Sequence, residues 1–332
     1  MVTVTQAGPT ASVGPARTSH RRPRKKGTGL KWLQIALFSA PALIVYVGLV
    51  FVPVVLAAYY SFFNWNGLGP LDRFVGLDNY TRALTDPVFH TAVKNNFFVL
   101  VLSLLIQGPL ALGVALLLNR RMRGRGLIRL LIFIPYILSE VITGLAFRLI
   151  LQPPVNKDSY GVFDTVLQAI GLGSFRQLWL ADPGIVRWTV FAVLTWKYLG
   201  LAIIIMLAGL QSIPEELGEA AAIDGASWWQ TQRYITVPLL GPTIRVWAFL
   251  SIIGSLQLFD MVALLFNGYG GPLNSAHTMA TYMVLYGQNR QQLGFGSAVA
   301  VILFVISLVV ALTYQRLALR RDLEGSVTGR EG

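Results

Sequence analysis

The chain has no cysteine, only three histidines and little charge. Each shortage removes a class of function. Without cysteine there is no disulfide framework, no Cys-ligated zinc or iron–sulfur site and no thiol chemistry. His20, His90 and His277 are too scattered along the chain to predict a histidine-based metal site. Charged residues make up 13% of the 332 positions, where a soluble domain carries roughly 25%. No Gly-x-x-x-x-Gly-Lys-Ser/Thr string occurs, so the chain cannot cradle nucleotide phosphates through a P-loop. Nor does any Ser/His/Asp grouping point to nucleophilic catalysis.

Apolar residues fill the gap, at 54% of the chain and a mean hydropathy of +0.59. They come in long runs. A helical span needs about 20 largely apolar residues, because ~1.5 Å of rise per residue must cross roughly 30 Å of hydrocarbon. Six stretches qualify: 32–59, 96–118, 128–151, 186–210, 241–266 and 293–314. Each must be helical, since lipid offers no partner to an unpaired backbone group. The fold class expected is therefore an all-α integral membrane protein with six transmembrane helices. Pro41, Pro53, Pro109 and Pro135 are read as kinks or unwound turns within the spans.

Net charge is +12, but it sits at the chain start and between apolar runs, which does not describe a nucleic-acid-binding face. With the N-terminus in the cytoplasm, the inner segments carry eighteen Lys and Arg and the outer segments seven. That bias places both termini in the cytoplasm. The run Arg21-Arg22-Pro23-Arg24-Lys25-Lys26 could be a nucleic-acid arm or a signal-peptide n-region. The apolar run that follows is far longer than the ~7–15 residues of a cleavable signal. The expected division is a disordered basic tail over 1–30, a membrane domain over 31–315 and a cytoplasmic C-terminal tail over 316–332.

One inner segment, 211–240, breaks the short, basic pattern. Pro214 suits a first helical position, and Glu215 and Glu216 complement the helix dipole in the first turn. The helix should run through Ala220, Ala221 and Ala222 and stop at Asp224-Gly225. A second short helix should start at Ser227 as N-cap and end before Pro238. Two short helices at a sharp bend make a rigid knob, with Leu217, Ile223, Trp228 and Trp229 as apolar anchors. The residues alone leave two uses open: a docking knob, or a helix pair lying in the lipid headgroups with its tryptophans.

The string Glu219-Ala220-Ala221-Ala222-Ile223-Asp224-Gly225-Ala226, followed by Ile235 and Pro238, resembles the EAA loop of binding-protein-dependent ABC importer permeases, and its fuller form resembles the maltose-type sugar branch. Phe74-Val75-Gly76-Leu77-Asp78-Asn79-Tyr80, Phe259-Asp260 and Gly270-Gly271-Pro272 are similar to other segments of that family. Val237 departs from the usual leucine before the proline, and Leu273-Asn274-Ser275-Ala276-His277 is less typical of sugar permeases.

The resemblance implies a type I importer permease that pairs with a second permease subunit and two cytoplasmic ATPase subunits. An extracytoplasmic solute-binding protein would deliver the substrate, a mono- or oligosaccharide or else a polyol or glycerol phosphate. ATP and Mg would bind the ATPase subunits and no cofactor this chain. Glu219, Ala220, Ala221, Asp224, Gly225, Ala226, Ile235 and Pro238 would form the coupling loop. In the family, span five lies close to the partner permease, so the small polar stripe Ser251, Gly254, Ser255 and Gln257 would line the central interface.

Charges inside spans mark cavities or partners. On straight helices at ~1.5 Å per residue, Glu140 and Lys197 sit about 18–20 Å from the inner face, and Arg148 and Asp260 about 28–30 Å. Two interhelical ion pairs and a polar solute path lined by Glu140, Lys197, Gln257 and Asp260 both fit these depths. Gln107-Gly108-Pro109 is a weaker path candidate. An ion-coupled transporter would need an internal repeat between the two halves, and none is evident.

Overall fold

The computed structural model describes residues 28–120, 123–154, 160–268 and 270–328. The basic run 21–26, and the tail expected around it, lie outside these residues. The structure divides into two units, Met1–Pro53 and Val54–Gly332. In the first, α1 (Thr28–Tyr46) begins three residues inside the segment expected as tail. Its side chains from Gln34 onward point almost entirely outward, Phe38 at 84% exposure, as suits a helix whose surroundings are hydrocarbon.

The rest of the chain is helical too. In order come α2 (Val52–Tyr60), α3 (Asp78–Thr85), α4 (Pro87–Leu102), α5 (Gly108–Leu118), α6 (Arg125–Ile137), α7 (Glu140–Ile150) and α8 (Val162–Ala169). They are followed by α9 (Val186–Gln211), α10 (Glu215–Ile223), α11 (Trp228–Thr231), α12 (Val237–Leu239), α13 (Gly241–Leu256), α14 (Asp260–Phe266), α15 (Met279–Val284) and α16 (Leu293–Thr328). Among the described residues, Gln34–Tyr60, Pro87–Leu118, Val186–Gln211 and Leu293–Ala318 are each long and apolar enough to cross a bilayer. Two further candidates are bent pairs: α6 with α7, at 92°, and the stretch Trp228–Leu239 with α13, at 65°.

The bends correct the straight-helix depths. Span three, expected over 128–151 with a kink or unwound turn at Pro135, breaks at Leu138 and Ser139, three residues beyond that proline. Span five, expected over 241–266, breaks at Gln257-Leu258-Phe259. The knob's second helix does not end before Pro238. It runs through the proline to Leu239 and turns at Leu240.

Three of the prolines share a signature. Pro53, Pro109 and Pro238 each follow a π-helical turn, at Val47–Phe51, Ser103–Gln107 and Gln232–Thr236. A proline ring has no N–H and clashes with the carbonyl four residues back. Widening the preceding turn to i→i+5 relieves the clash without ending the helix.

At the centre of the second unit, α9 is buried along most of its length and packs against α5, α6 and α13. Small residues let backbones touch. A Cβ on Gly200 would come within 2.4 Å of the Ile132 carbonyl oxygen, and one on Gly108 within 2.5 Å of the Trp247 ring. Close contact of this kind is what holds membrane helices together, because lipid tails are as apolar as leucine.

Beyond α2 the chain is closed by the Phe74–Tyr80 segment. Phe74 bridges Phe63, the Val75 N–H donates to the Phe62 carbonyl at 2.9 Å, and Asn79 Nδ2 donates to the Ser61 and Phe63 carbonyls at 2.8 and 3.0 Å.

Candidate functional site

The knob is built by local chemistry. After α10 the Ala226 N–H donates to the Ala221 carbonyl at 2.9 Å and the Gly225 N–H to the Ala222 carbonyl at 3.1 Å. This is a Schellman cap, and it requires a left-handed residue at the position after the C-cap. Gly225, at φ 83°, supplies it. The fixed spacing of Glu-Ala-Ala and glycine is thus the spacing of one helix end. Ser227 then caps α11 in a reciprocal box with Gln230, at 3.4 and 2.7 Å. Pro214 is the N-cap of α10, one residue outside the first helical position expected of it.

The expected anchors divide. Trp228 is tied to the bundle: the Arg120 guanidinium lies 4.1 Å from its ring centroid, and the side chain packs against the apolar cluster that includes Leu210, Leu240 and Trp247. Trp229, at 72%, and Ile223, at 86%, remain outward, with Leu217 also exposed. Glu219, Ala220, Asp224 and Gly225 are exposed, Ala221 is buried and Ala226 half-buried. Ile235, half-buried, lines a cleft beneath α10 together with Arg123 and Arg125, while Pro238 is exposed.

Lys197 on α9 is buried to 1%. Its ammonium donates to the Leu138 carbonyl and, at 3.4 Å, to the Tyr136 carbonyl, and Glu140 Oε1 lies 3.7 Å away. The same Oε1 accepts from Tyr198 Oη at 2.9 Å. The helix α6 ends in carbonyls that have lost their intrahelical partners, and a cation there complements the negative helix end. So Lys197 and Glu140 come together, at the break between two half-helices.

Arg148 and Asp260 do not meet as their depths predicted. The 92° turn carries α7 away from the line of α6, which removes the straight-helix estimate. Arg148 donates instead to Asn267 Oδ1. A Cβ on Gly144 would sit 2.5 Å from Leu264, so α7 and α14 run side by side in the same direction. Their first residues, Glu140 and Asp260, lie at the same end.

That end opens on a cavity of about 360 Å³ between α4, α9, α13 and α14. Gln257, Asp260 and Tyr198 line it, with Ser251, Gly254 and Ser255 from the α13 stripe. Ser103 and Gln107, on the π turn between α4 and α5, complete its polar wall; Ser103 Oγ lies 2.7 Å from Ser251 Oγ and donates to Gln107 Oε1. Gln257 and Asp260 are both exposed. Among the described residues no group of three or more His, Asp or Glu side chains converges as a metal site would need.

The sequence reading passed over Asn95 and Asn96. Asn96 Nδ2 donates to the Ser255 and Leu256 carbonyls at the end of α13, at 2.7 and 3.1 Å, and its Oδ1 accepts from the Met279 N–H at 2.9 Å. Asn95 holds the Ser275 and His277 carbonyls, both at 2.8 Å, and Thr278 Oγ1 donates to the Leu258 carbonyl at 2.6 Å. Gly270 of the Gly-Gly-Pro segment lies flat on His277, where a Cβ would fall 2.1 Å from the ring. The available signal was an amide pair at the mouth of an apolar run, where buried polar groups are kept only when satisfied.

His277 lies outside the spans and is fully buried, its Nε2 without a partner among the described residues. Burial, with the Arg290 charge adding to it and Asp86 opposing, lowers its pKa to about 4.

Comparison with known proteins matches this architecture. A probable ABC transporter permease of Pyrococcus horikoshii is 37% identical over 84% of this chain and 94% of its own. The lactose transport system permease LacF of Rhizobium radiobacter is 34% identical over 83% and 90%. The crystal structure of a bacterial ABC transporter involved in import of the acidic polysaccharide alginate aligns with TM-score 0.75 and 26% identity, over 88% of this chain and 96% of that one. Residues 107–322 match the family of binding-protein-dependent transport system inner membrane components, and the chain, a multi-pass membrane protein, belongs to that family.

Proposed function

We propose that the chain is the permease subunit of an ATP-driven importer for a mono- or oligosaccharide, with six spans and both termini in the cytoplasm. The relatives named for lactose, trehalose/maltose and arabinooligosaccharide transport support that substrate class. A second permease subunit completes the pathway, two cytoplasmic ATPase subunits hold ATP and Mg, and an extracytoplasmic binding protein delivers the sugar. The knob 219–226 docks on one ATPase, and closure of the ATPases moves it as a rigid body to switch the access of the pathway. Gln257, Asp260 and the serines of α13 line this subunit's half of the path. Glu140 and Lys197 hold the wall in shape.

The single observation that carries the reading is the knob itself. Its capped turn is rigid, yet Ile223 and Trp229 are exposed on it at 86% and 72%. Large apolar side chains held outward together on a rigid turn mark a surface for a partner.

The test is uptake of labelled sugars by cells carrying Gly225→Val or Gly225→Asn, with membrane insertion measured alongside. A Cβ at Gly225 meets nothing within 4 Å, so any steric effect inside the chain comes from φ 83°. Asparagine tolerates that conformation and valine does not. Uptake should fall at least tenfold in Gly225→Val while insertion persists. Retained uptake in both variants would overturn the docking role.

A further inference from the structure

We propose that the chain carries a site for an anionic phospholipid between α6 and α9, with Arg129 binding the phosphate. Arg129 lies one turn into α6. Its Nε and Nη2 are shielded from water and, among the described residues, have no hydrogen-bond partner. A donor edge of a guanidinium shielded from water without an acceptor is costly, and an anion seated against it removes that cost. The side chain lines a cavity of about 310 Å³. Apart from Arg129 the walls are apolar, including Phe133, Ile203, Ile204, Leu207 and Ala208, with Gln211 as the one other polar side chain. Among the described residues no carboxylate lines it.

The two halves of the cavity identify the occupant together. The guanidinium fork matches a phosphate in bidentate geometry. The apolar walls offer nothing to a free ion and suit acyl chains. Both flanking helices belong to candidate spans, and Leu130 and Ile204 are exposed along this face at 53% and 39%. The Arg129 position is also the end of the arginine-bearing segment 119–129, the side of the membrane where basic pockets between helices take up lipid headgroups. Arg125, one helical turn before Arg129 and lining the neighbouring cleft, brings a second positive charge near the guanidinium and favours a lipid with net negative charge.

The test uses the full chain purified with its co-purifying subunits and reads retained lipid by native mass spectrometry. Phosphatidylglycerol should remain bound at least tenfold better than phosphatidylcholine. Arg129→Gln should cut its occupancy at least tenfold and Arg129→Lys by less. Ala208→Leu fills the cavity from an exposed position and leaves the arginine in place, so it should also displace the lipid, whether or not Arg129→Gln folds. Displacement by millimolar inorganic phosphate would mark a free-anion site and overturn the lipid assignment. Because the chain has no other cysteine, Ala208→Cys can carry a photocrosslinker. A lipid adduct supports the site, and an adduct to a protein subunit overturns it. Equal phosphatidylglycerol in wild type, Arg129→Gln and Ala208→Leu would overturn it as well.

Discussion

Two spans are broken, and they are sealed in opposite ways. At the break between α6 and α7 the freed carbonyls of Tyr136 and Leu138 are taken by the Lys197 ammonium. At the break between α13 and α14 the carbonyls of Ser255, Leu256 and Leu258 are taken by the Asn96 amide and the Thr278 hydroxyl. Each following half-helix starts with a carboxylate, Glu140 or Asp260. A charged seal demands a counter-ion, and Glu140 supplies it at 3.7 Å. A neutral seal demands none, and Asp260 is left facing the cavity with Gln257. The chemistry of the seal therefore decides whether the carboxylate is held by the scaffold or left facing the cavity.

Breaking the charged seal should have the largest effect. Lys197→Met orphans two carbonyls and leaves Glu140, 30% exposed, without its cation. The expected loss is about 3 kcal/mol, the lower end for removing one partner of a buried pair, read as reduced thermal stability of the purified complex. Adding Glu140→Gln should restore part of it. Exchanging the two charges should not, because a carboxylate at position 197 would face the carbonyl oxygens of Tyr136 and Leu138. Full rescue by exchange would show that the pair, and not the seal, is what stabilises the break.

The neutral seal has a weakness that pH exposes. His277 sits beside Thr278, and its folded pKa of about 4 lies below the ordinary 6.5. The unfolded chain therefore binds the proton first. The stability His277 contributes is complete above pH 6.5 and is lost as pH falls from 6.5 towards 4, by up to about 3 kcal/mol. His277→Gln should flatten the stability profile across that window. An unchanged slope would mean that another group carries the acid sensitivity.

Local chemistry was readable in the residues, and long-range chemistry was not. Hydropathy runs supplied the membrane helices, and Asp224-Gly225 and Ser227 marked the knob's turn and cap, because caps are written within a few neighbouring residues. The breaks escaped. Pro135 marks a kink in sequence, yet the chain turns three residues later, where a lysine 59 positions away meets the Leu138 carbonyl. Asn96 seals the other break from 159 and 160 positions away. The straight-helix depths put Arg148 against Asp260 for the same reason: a 92° turn has no signature in composition.

The open carboxylate should behave in the opposite way to the paired one. Asp260→Asn leaves every seal intact, so stability should stay within about 0.5 kcal/mol of wild type, as for exposed positions. Uptake should fall about tenfold, equivalent to about 1.4 kcal/mol. A variant that loses stability and keeps uptake would make Asp260 a scaffold residue like Glu140.

Tyr198 gives the finest test, because it touches both sides of the comparison. Its hydroxyl donates to Glu140 Oε1 at 2.9 Å, and its side chain also lines the cavity that holds Asp260. Hydrogen bonds between membrane helices average about 0.6 kcal/mol, so Tyr198→Phe should cost about that much stability. If Tyr198 serves only the charged seal, uptake at saturating sugar should be unchanged. A fall in apparent affinity with stability held would mean that the hydroxyl faces the solute, and that the paired half-helix contributes to the path through its neighbour.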